Sequence, residues 1–204
     1  MELTQMLAKY RVIPMASAEK FGNLFPVVGA LSSGGIPLVC VKVGQESDID
    51  MLGAVIRTFE DLQLGAWVTD IHTAQKCIDA GVKFICTPGV SRPLAKVCAE
   101  GGIRYLPGCA TASDVMLATE LSLNTVMLCP AEALGGRGAL DLFITMFPNT
   151  RFIACLVSEE TDIKPYFENP RVLALATPTI TCGSLDEIAK KSQDFVAKYA
   201  RGNL

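Results

Sequence analysis

Along this chain a short, wholly apolar run is followed by a turn and then by helix-spaced apolar positions, and the cycle repeats. It is clearest over residues 83–136, KFICTPGVSRPLAKVCAEGGIRYLPGCATASDVMLATELSLNTVMLCPAEALGG. The runs at 84–86, 105–106 and 126–129 break into Thr87-Pro88-Gly89, Pro107-Gly108 and Pro130-Ala131-Glu132. Proline cannot donate to a strand ladder, and glycine takes backbone angles that other residues avoid. The two Pro-Gly pairs stand 19 residues apart, about one strand-turn-helix unit. This rhythm predicts parallel βα units.

Read in order, residues 3–10 predict a leading helix and 12–15 a first strand. Ser17 is placed to cap a helix that Pro26 kinks before it ends at Ser33-Gly34-Gly35. Strands follow at 38–43 and 64–68, with helices from Ser47-Asp48 and over 73–80, the latter closed by Gly81. The three runs above supply strands four to six; 151–156 and 172–176 are the last two, with a short helix around 165–168 between them. Ser184 and Glu187 form a capping box. Behind it Leu185, Ile188, Ala189, Phe195, Val196 and Tyr199 share one face of a final helix.

Eight almost wholly apolar strands alternating with helices predict a (β/α)8 TIM barrel spanning residues 1–204 as one domain with a short N-terminal helix. An open doubly wound sheet is the rival, but it rarely needs eight evenly spaced units. In such a barrel the chemistry sits at the C-terminal ends of the strands. That narrows the search to the stretches 14–17, 40–44, 67–70, 86–89, 106–111, 127–132, 155–158 and 176–179.

Composition changes this picture little. Half the residues are apolar and 19% are charged, as in a globular chain. A net charge of −3 gives no reason to expect nucleic acid or an anionic membrane. The longest apolar runs fall short of a membrane span, and the opening MELTQMLAKYR is unlike a secretory leader, so a cytoplasmic protein is expected. The eight cysteines are scattered singly with no C-x-x-C pair, and Cys40, Cys86, Cys129 and Cys155 lie in apolar strands, where cysteine serves as a small hydrophobe. With one histidine and no ligand spacing, neither a metal nor another cofactor is expected.

The strand-end residues resemble the 2-keto-3-deoxy-6-phosphogluconate (KDPG) / 4-hydroxy-2-oxoglutarate (KHG) aldolase family nearly end to end. Val12-Ile13-Pro14 is similar to its first strand and Leu64-Gly65-Ala66 to the start of its third. Ala80-Gly81-Val82-Lys83-Phe84 with Thr87-Pro88-Gly89 resembles its A-G-A-x-F…S-P-G segment, and Leu106-Pro107-Gly108 with Thr111 its P-G-x-x-T turn. Pro130-Ala131-Glu132 with Gly135-Gly136 resembles its F-P-A-E…G-G segment. The resemblance implies a class I aldolase, a homotrimer that splits a 2-keto-4-hydroxy acid to pyruvate and an aldehyde through a lysine Schiff base.

It also implies specific departures. The family's Schiff-base lysine falls on Met127, and its strand-two glutamate and arginine on Cys40 and Gly44. The third-strand G-A-G-T becomes Gly65-Ala66-Trp67-Val68, so that Trp67 either plugs the mouth or fills a loop contact. The phosphate-binding T-G-G after strand seven becomes Cys155-Leu156-Val157, then Ser158-Glu159-Glu160. After strand eight the glycine-rich turn becomes Thr177-Pro178-Thr179. Phosphate held in the family manner is therefore not expected, since glycines let backbone N–H groups approach it, proline has no N–H, and carboxylates repel it.

Lys42, two residues beyond Cys40, should share its inward face. An amine buried among apolar groups is costly to charge, which favours its nucleophilic form. Lys42 is thus the candidate nucleophile, with Glu132 as proton shuttle and Cys40 as a lesser catalytic candidate. Alternatively, Lys42 lies near the rim and pairs with Glu46 or another acid, and Glu132 merely supports its turn. Pro88, Gly89, Pro107, Gly108, Thr111, Pro130 and Thr177 are candidate substrate contacts, the Pro-Gly pairs also shaping their turns. His72 reads as a surface or capping residue, and Arg92, Arg104 and Arg137 as solvated side chains or holders of a substrate carboxylate. The reading that results is a carbon–carbon lyase acting on an unphosphorylated small-molecule 2-oxo acid. Its alternatives are a different small-molecule activity in the same pocket, or a non-catalytic homologue binding a metabolite or a protein partner.

Overall fold

The computed structural model describes residues 2–158 and 161–201. Eight parallel strands close into a barrel in chain order: β1 Val12–Ser17, β2 Leu38–Lys42, β3 Gln63–Trp67, β4 Phe84–Thr87, β5 Arg104–Cys109, β6 Thr125–Leu128, β7 Arg151–Cys155 and β8 Val172–Thr177. The helices are α1 Leu3–Tyr10, α2 Ala18–Phe21, α3 Phe25–Ser33, α4 Glu46–Thr58, α5 Ile71–Asp79, α6 Arg92–Glu100, α7 Ala112–Glu120, α8 Gly136–Met146 and α9 Leu185–Tyr199. Lys164–Glu168 forms a 3-10 turn before β8. Two of the expected details differ. The stretch after β1 is two helices, α2 and α3, because Pro26 sits in the first turn of α3, where a missing N–H costs nothing, and so starts a helix rather than kinking one. Ser17 precedes α2 without a side-chain capping bond.

The strand register divides each strand into an inner and an outer face, since registered neighbours in a parallel sheet point the same way. Lys42, Trp67, Cys86 and Leu106 form one registered row, and Gly108, Met127 and Ile153 another. Cys155, Ala176 and Ile13 form a third. These residues fill the lumen. The alternate positions Val126, Leu128, Phe152, Ala154 and Leu175 instead pack outward with Leu140 and Ile144 of α8. Two glycines are steric necessities inside this wall. A Cβ on Gly65 would stand 2.2 Å from the Phe84 ring, and one on Gly108 2.3 Å from the Pro88 carbonyl oxygen.

The N-terminal end of the barrel is closed by α1 and Arg11. The Arg11 guanidinium lies 4.0 Å from the Phe167 ring centroid and donates to the carbonyls of Phe167 (3.2 Å) and Val172 (3.4 Å). Burial, and next the charge of Arg201, lower its pKa to about 10. At the other terminus the capping box of α9 forms as expected, with Ser184 Oγ accepting from the Glu187 N–H and Glu187 accepting from the Ser184 N–H at 2.7 Å. Ile188 and Phe195 of α9 are buried, but Leu185 is 45% exposed. It lies in the first turn, beyond the reach of the barrel wall. No helix among the described residues is long and apolar enough to cross a membrane.

Candidate active site

Lys42 ends β2 in the same registered row as Trp67 and Cys86, so it rises from the inner face of the barrel at the C-terminal mouth. It is exposed rather than buried, and it has no hydrogen bond or ion pair with the described residues. The alternative partner, Glu46, is engaged by Lys76 instead. Trp67 stands beside Lys42 half-buried and packs its ring on the core. Cys40, one inward step deeper than Lys42, is buried.

Across the barrel, β6 faces β2, four strands away on either side of the closed sheet. Met127 of β6 is fully buried in the lumen, and the chain leaves the strand through Cys129 and Pro130 into a 3-10 turn that begins at Glu132. Glu132 is partly buried on this rim, 3.5 Å from the Ser158 hydroxyl. Burial, and next the charge of Glu132, push the Tyr166 hydroxyl pKa up. Lys42 and Glu132 thus stand on opposite sides of one opening.

The other candidates have structural engagements. The Thr111 hydroxyl accepts from the Asp114 N–H (3.3 Å) and donates to the Asp114 carboxylate (2.9 Å), closing a capping box at the start of α7. Pro88 and Gly89 are exposed. Their turn is held by Thr87, which donates to the Gly89 carbonyl at 2.6 Å, and by the Tyr105 hydroxyl 2.8 Å from that of Thr87. Pro107 and Gly108 are buried in β5, and Pro130 is exposed, its carbonyl accepting from Leu134 at 3.2 Å. The buried Thr177 hydroxyl donates to the Val157 carbonyl (2.6 Å) and accepts from the Thr179 N–H (3.2 Å), tying the loops after β7 and β8 together.

The arginines do not converge on the mouth. Arg92 pairs with Glu120 at 2.7 Å, and Arg137 with Asp141 at 2.7 Å and Glu168 at 3.0 Å. Arg104 pairs with Glu2. Standing at the start of β5, it lines a cavity of about 440 Å³ with Glu2 and Arg151, at the end opposite the strand tips. That corrects its reading as a strand-end residue. His72 is an exposed residue in the first turn of α5.

Where the resemblance places phosphate-binding glycines, Leu156 takes the left-handed conformation, φ 60°, and its N–H is bound to the Ala176 carbonyl at 2.8 Å. Glu159 and Glu160 lie outside the described residues.

The strand cysteines are buried, as their place in apolar runs implies. Cys40, Cys86, Cys129 and Cys155 all turn into the lumen as free, buried cysteines, near enough that Cys40 acts on the Cys86 thiol and Cys129 and Cys155 act on each other. Their inward direction follows from the strand phases; which of them meet depends on the register.

The profile of the family described as "Aldolase: KDPG and KHG aldolase" matches residues 3–197. The chain belongs to the KDPG and KHG aldolase family. It is 27% identical over 196 residues to the 2-dehydro-3-deoxy-phosphogluconate aldolase of Treponema pallidum, covering 93% of each chain. Among solved structures, a 4-hydroxy-2-oxoglutarate / KDPG aldolase superposes with a TM-score of 0.88 at 25% identity, over 97% of this chain and 98% of that one. The KDPG aldolase of Legionella pneumophila, with pyruvate captured at low pH as a covalent carbinolamine intermediate, superposes at 0.85 and 24% identity, over 96% and 98% of the two chains. Membership in the KDPG and KHG aldolase family supports an aldolase-type function for this chain.

Proposed function

We propose that this chain is a carbon–carbon lyase that splits an unphosphorylated 2-keto-4-hydroxy acid to pyruvate and an aldehyde, with Lys42 supplying the imine-forming amine. The observation that carries this reading is an unpartnered, exposed amine on the inner row of β2 at the barrel mouth. The amine adds to the keto carbon to give a carbinolamine, which loses water to form an iminium. That cation draws in the electrons of the bond between carbons 3 and 4 as it breaks. Glu132, on the facing rim, takes the proton of the 4-hydroxyl as the aldehyde forms. The absence of phosphate follows from the loops after β7 and β8. The Leu156 and Thr179 N–H groups are engaged internally, and Pro178 has none.

Borohydride reduction with pyruvate, followed by peptide mapping, tests the assignment. The expected result is a reduced pyruvate adduct on Lys42 that is absent from Lys42→Ala, together with loss of pyruvate-releasing activity in that variant. An adduct on another lysine would relocate the site. No adduct with pyruvate or larger 2-oxo acids would favour the second reading, a non-catalytic homologue, to which the fully buried Met127 at the inferred lysine position points.

We also infer a homotrimer. Met116 of α7 and Leu142 and Met146 of the neighbouring α8 are 57, 66 and 54% exposed, an apolar surface that self-association would cover. Light scattering that gave the monomer mass would refute it.

A further inference from the structure

We propose that Cys129 and Cys155 are an oxidation site of this barrel, a dithiol that small hydroperoxides convert reversibly into a disulfide between the neighbouring strands β6 and β7. The geometry begins with register. Leu128 of β6 pairs with Ala154 of β7, so the next pair in step is Cys129 with Cys155, and the Ala131 N–H bonds the Cys155 carbonyl at 2.8 Å just beyond it. Registered residues of neighbouring strands lie about 4.8 Å apart. That falls inside the Cα separation of about 4.4–6.8 Å that a disulfide spans. Both side chains turn the same way, into the lumen. There the two thiols act on each other: interaction with Cys155 holds the Cys129 pKa below the usual thiol value, while interaction with Cys129 and then burial raise that of Cys155.

The second thiol pair serves as an internal contrast. Cys40 also acts on the Cys86 thiol, but the two belong to β2 and β4 with β3 between them. Two strand spacings, about 9–10 Å, exceed the reach of a disulfide without backbone movement. Proximity of sulfur atoms alone would predict both bridges; the register predicts one.

The chemistry balances with one hydroperoxide per bridge. The Cys129 thiolate attacks the peroxide: a sulfur–oxygen bond forms, the oxygen–oxygen bond breaks, and the leaving oxygen takes a proton. The Cys155 sulfur then displaces hydroxide from the Cys129 sulfenic acid, forming the sulfur–sulfur bond and releasing water with the Cys155 proton. Cys129 is 5% exposed, and Cys155 fully buried, so the outer sulfur meets the oxidant and the inner one resolves it.

The test uses the full chain carrying Cys182→Ser, which removes the one cysteine that is not buried. The protein is treated with dilute hydrogen peroxide, quenched with N-ethylmaleimide, and read by intact mass and non-reducing peptide mapping. The expected product is lighter by two hydrogens than the reduced chain before alkylation, accepts two fewer maleimides, and maps to one Cys129–Cys155 cross-link that dithiothreitol reverses. Cys155→Ser should leave a sulfenic acid on Cys129 that dimedone traps, and Cys86→Ser should still form the bridge. The proposal is overturned by a cross-link between Cys40 and Cys86. It is equally overturned by an unchanged thiol count in folded wild-type protein, a result that does not depend on any variant folding.

Discussion

Gly65→Ala tests how tightly the floor of the mouth is packed. Gly65 and Phe84 are registered neighbours on β3 and β4, and the fully buried ring leans over the glycine. An added methyl would lie 2.2, 2.4 and 2.4 Å from three ring carbons, where carbon atoms prefer about 3.5–4.0 Å. The ring must therefore move by more than an ångström inside a closed wall. Overpacking of this kind costs about 1–3 kcal/mol, and forcing a side chain off its rotamer adds about 0.5–1.5 kcal/mol. With three ring atoms in conflict, the upper end applies, so we expect about 3 kcal/mol. For a chain of this size that lowers Tm by roughly 6–12 °C. Urea unfolding at constant m-value measures it, and Phe84→Leu provides the cycle. The double variant should recover about 2 kcal/mol relative to additivity, because the smaller side chain vacates the space that the methyl needs. If Gly65→Ala stayed within about 0.5 kcal/mol of wild type, or the two substitutions proved additive, the ring would not be a fixed floor and the argument would fail.

The pH dependence of stability should be set at its alkaline end by buried thiols. Burial pushes the pKa of Cys77 and Cys109 up to about 12 and that of Cys98 to about 11, from an ordinary 9.0. Folded values above unfolded ones mean that the unfolded chain loses these protons first. Their contribution is whole below pH 9 and is lost as pH rises from 9 toward 12. Arg11 opposes the trend from about pH 10, where the folded state sheds the proton that burial penalises. Urea midpoints should fall beyond pH 9, more gently in Cys98→Ala; a flat profile to pH 11 would contradict the assignment. Thr177→Val keeps the shape but leaves the Val157 carbonyl and the Thr179 N–H without their partner, for a loss of about 1–3 kcal/mol in urea unfolding. A loss under about 0.5 kcal/mol would show that water replaces the hydroxyl.

The barrel was legible because its signals are local. A proline turn after an apolar run marks a strand end without knowledge of any partner, so Thr87-Pro88-Gly89 and Pro130-Ala131-Glu132 could be placed directly. The parity that sets Lys42 beside Cys40 was likewise readable from spacing alone. What failed were inferences about depth and partnership. Of the two readings of Lys42, the buried amine fails, because β2 ends at that residue and its side chain emerges at the mouth; the rim placement is right, but Glu46 pairs with Lys76 instead. Leu185 fitted the helical face of α9 but lies exposed in its first turn, because periodicity gives direction and not distance from the core. The Cys129–Cys155 contact joins residues 26 positions apart, and only the β6–β7 register brings them together.

Leu156 carries a consequence for the evolution of this loop. A leucine at φ 60° bears a conformational cost of about 1–2 kcal/mol that glycine would not, yet the barrel holds it there through the bond to Ala176. The backbone here follows a path that suits glycine better than leucine. Building an anion-binding turn after β7 would therefore require new side chains on an existing frame, not a new frame.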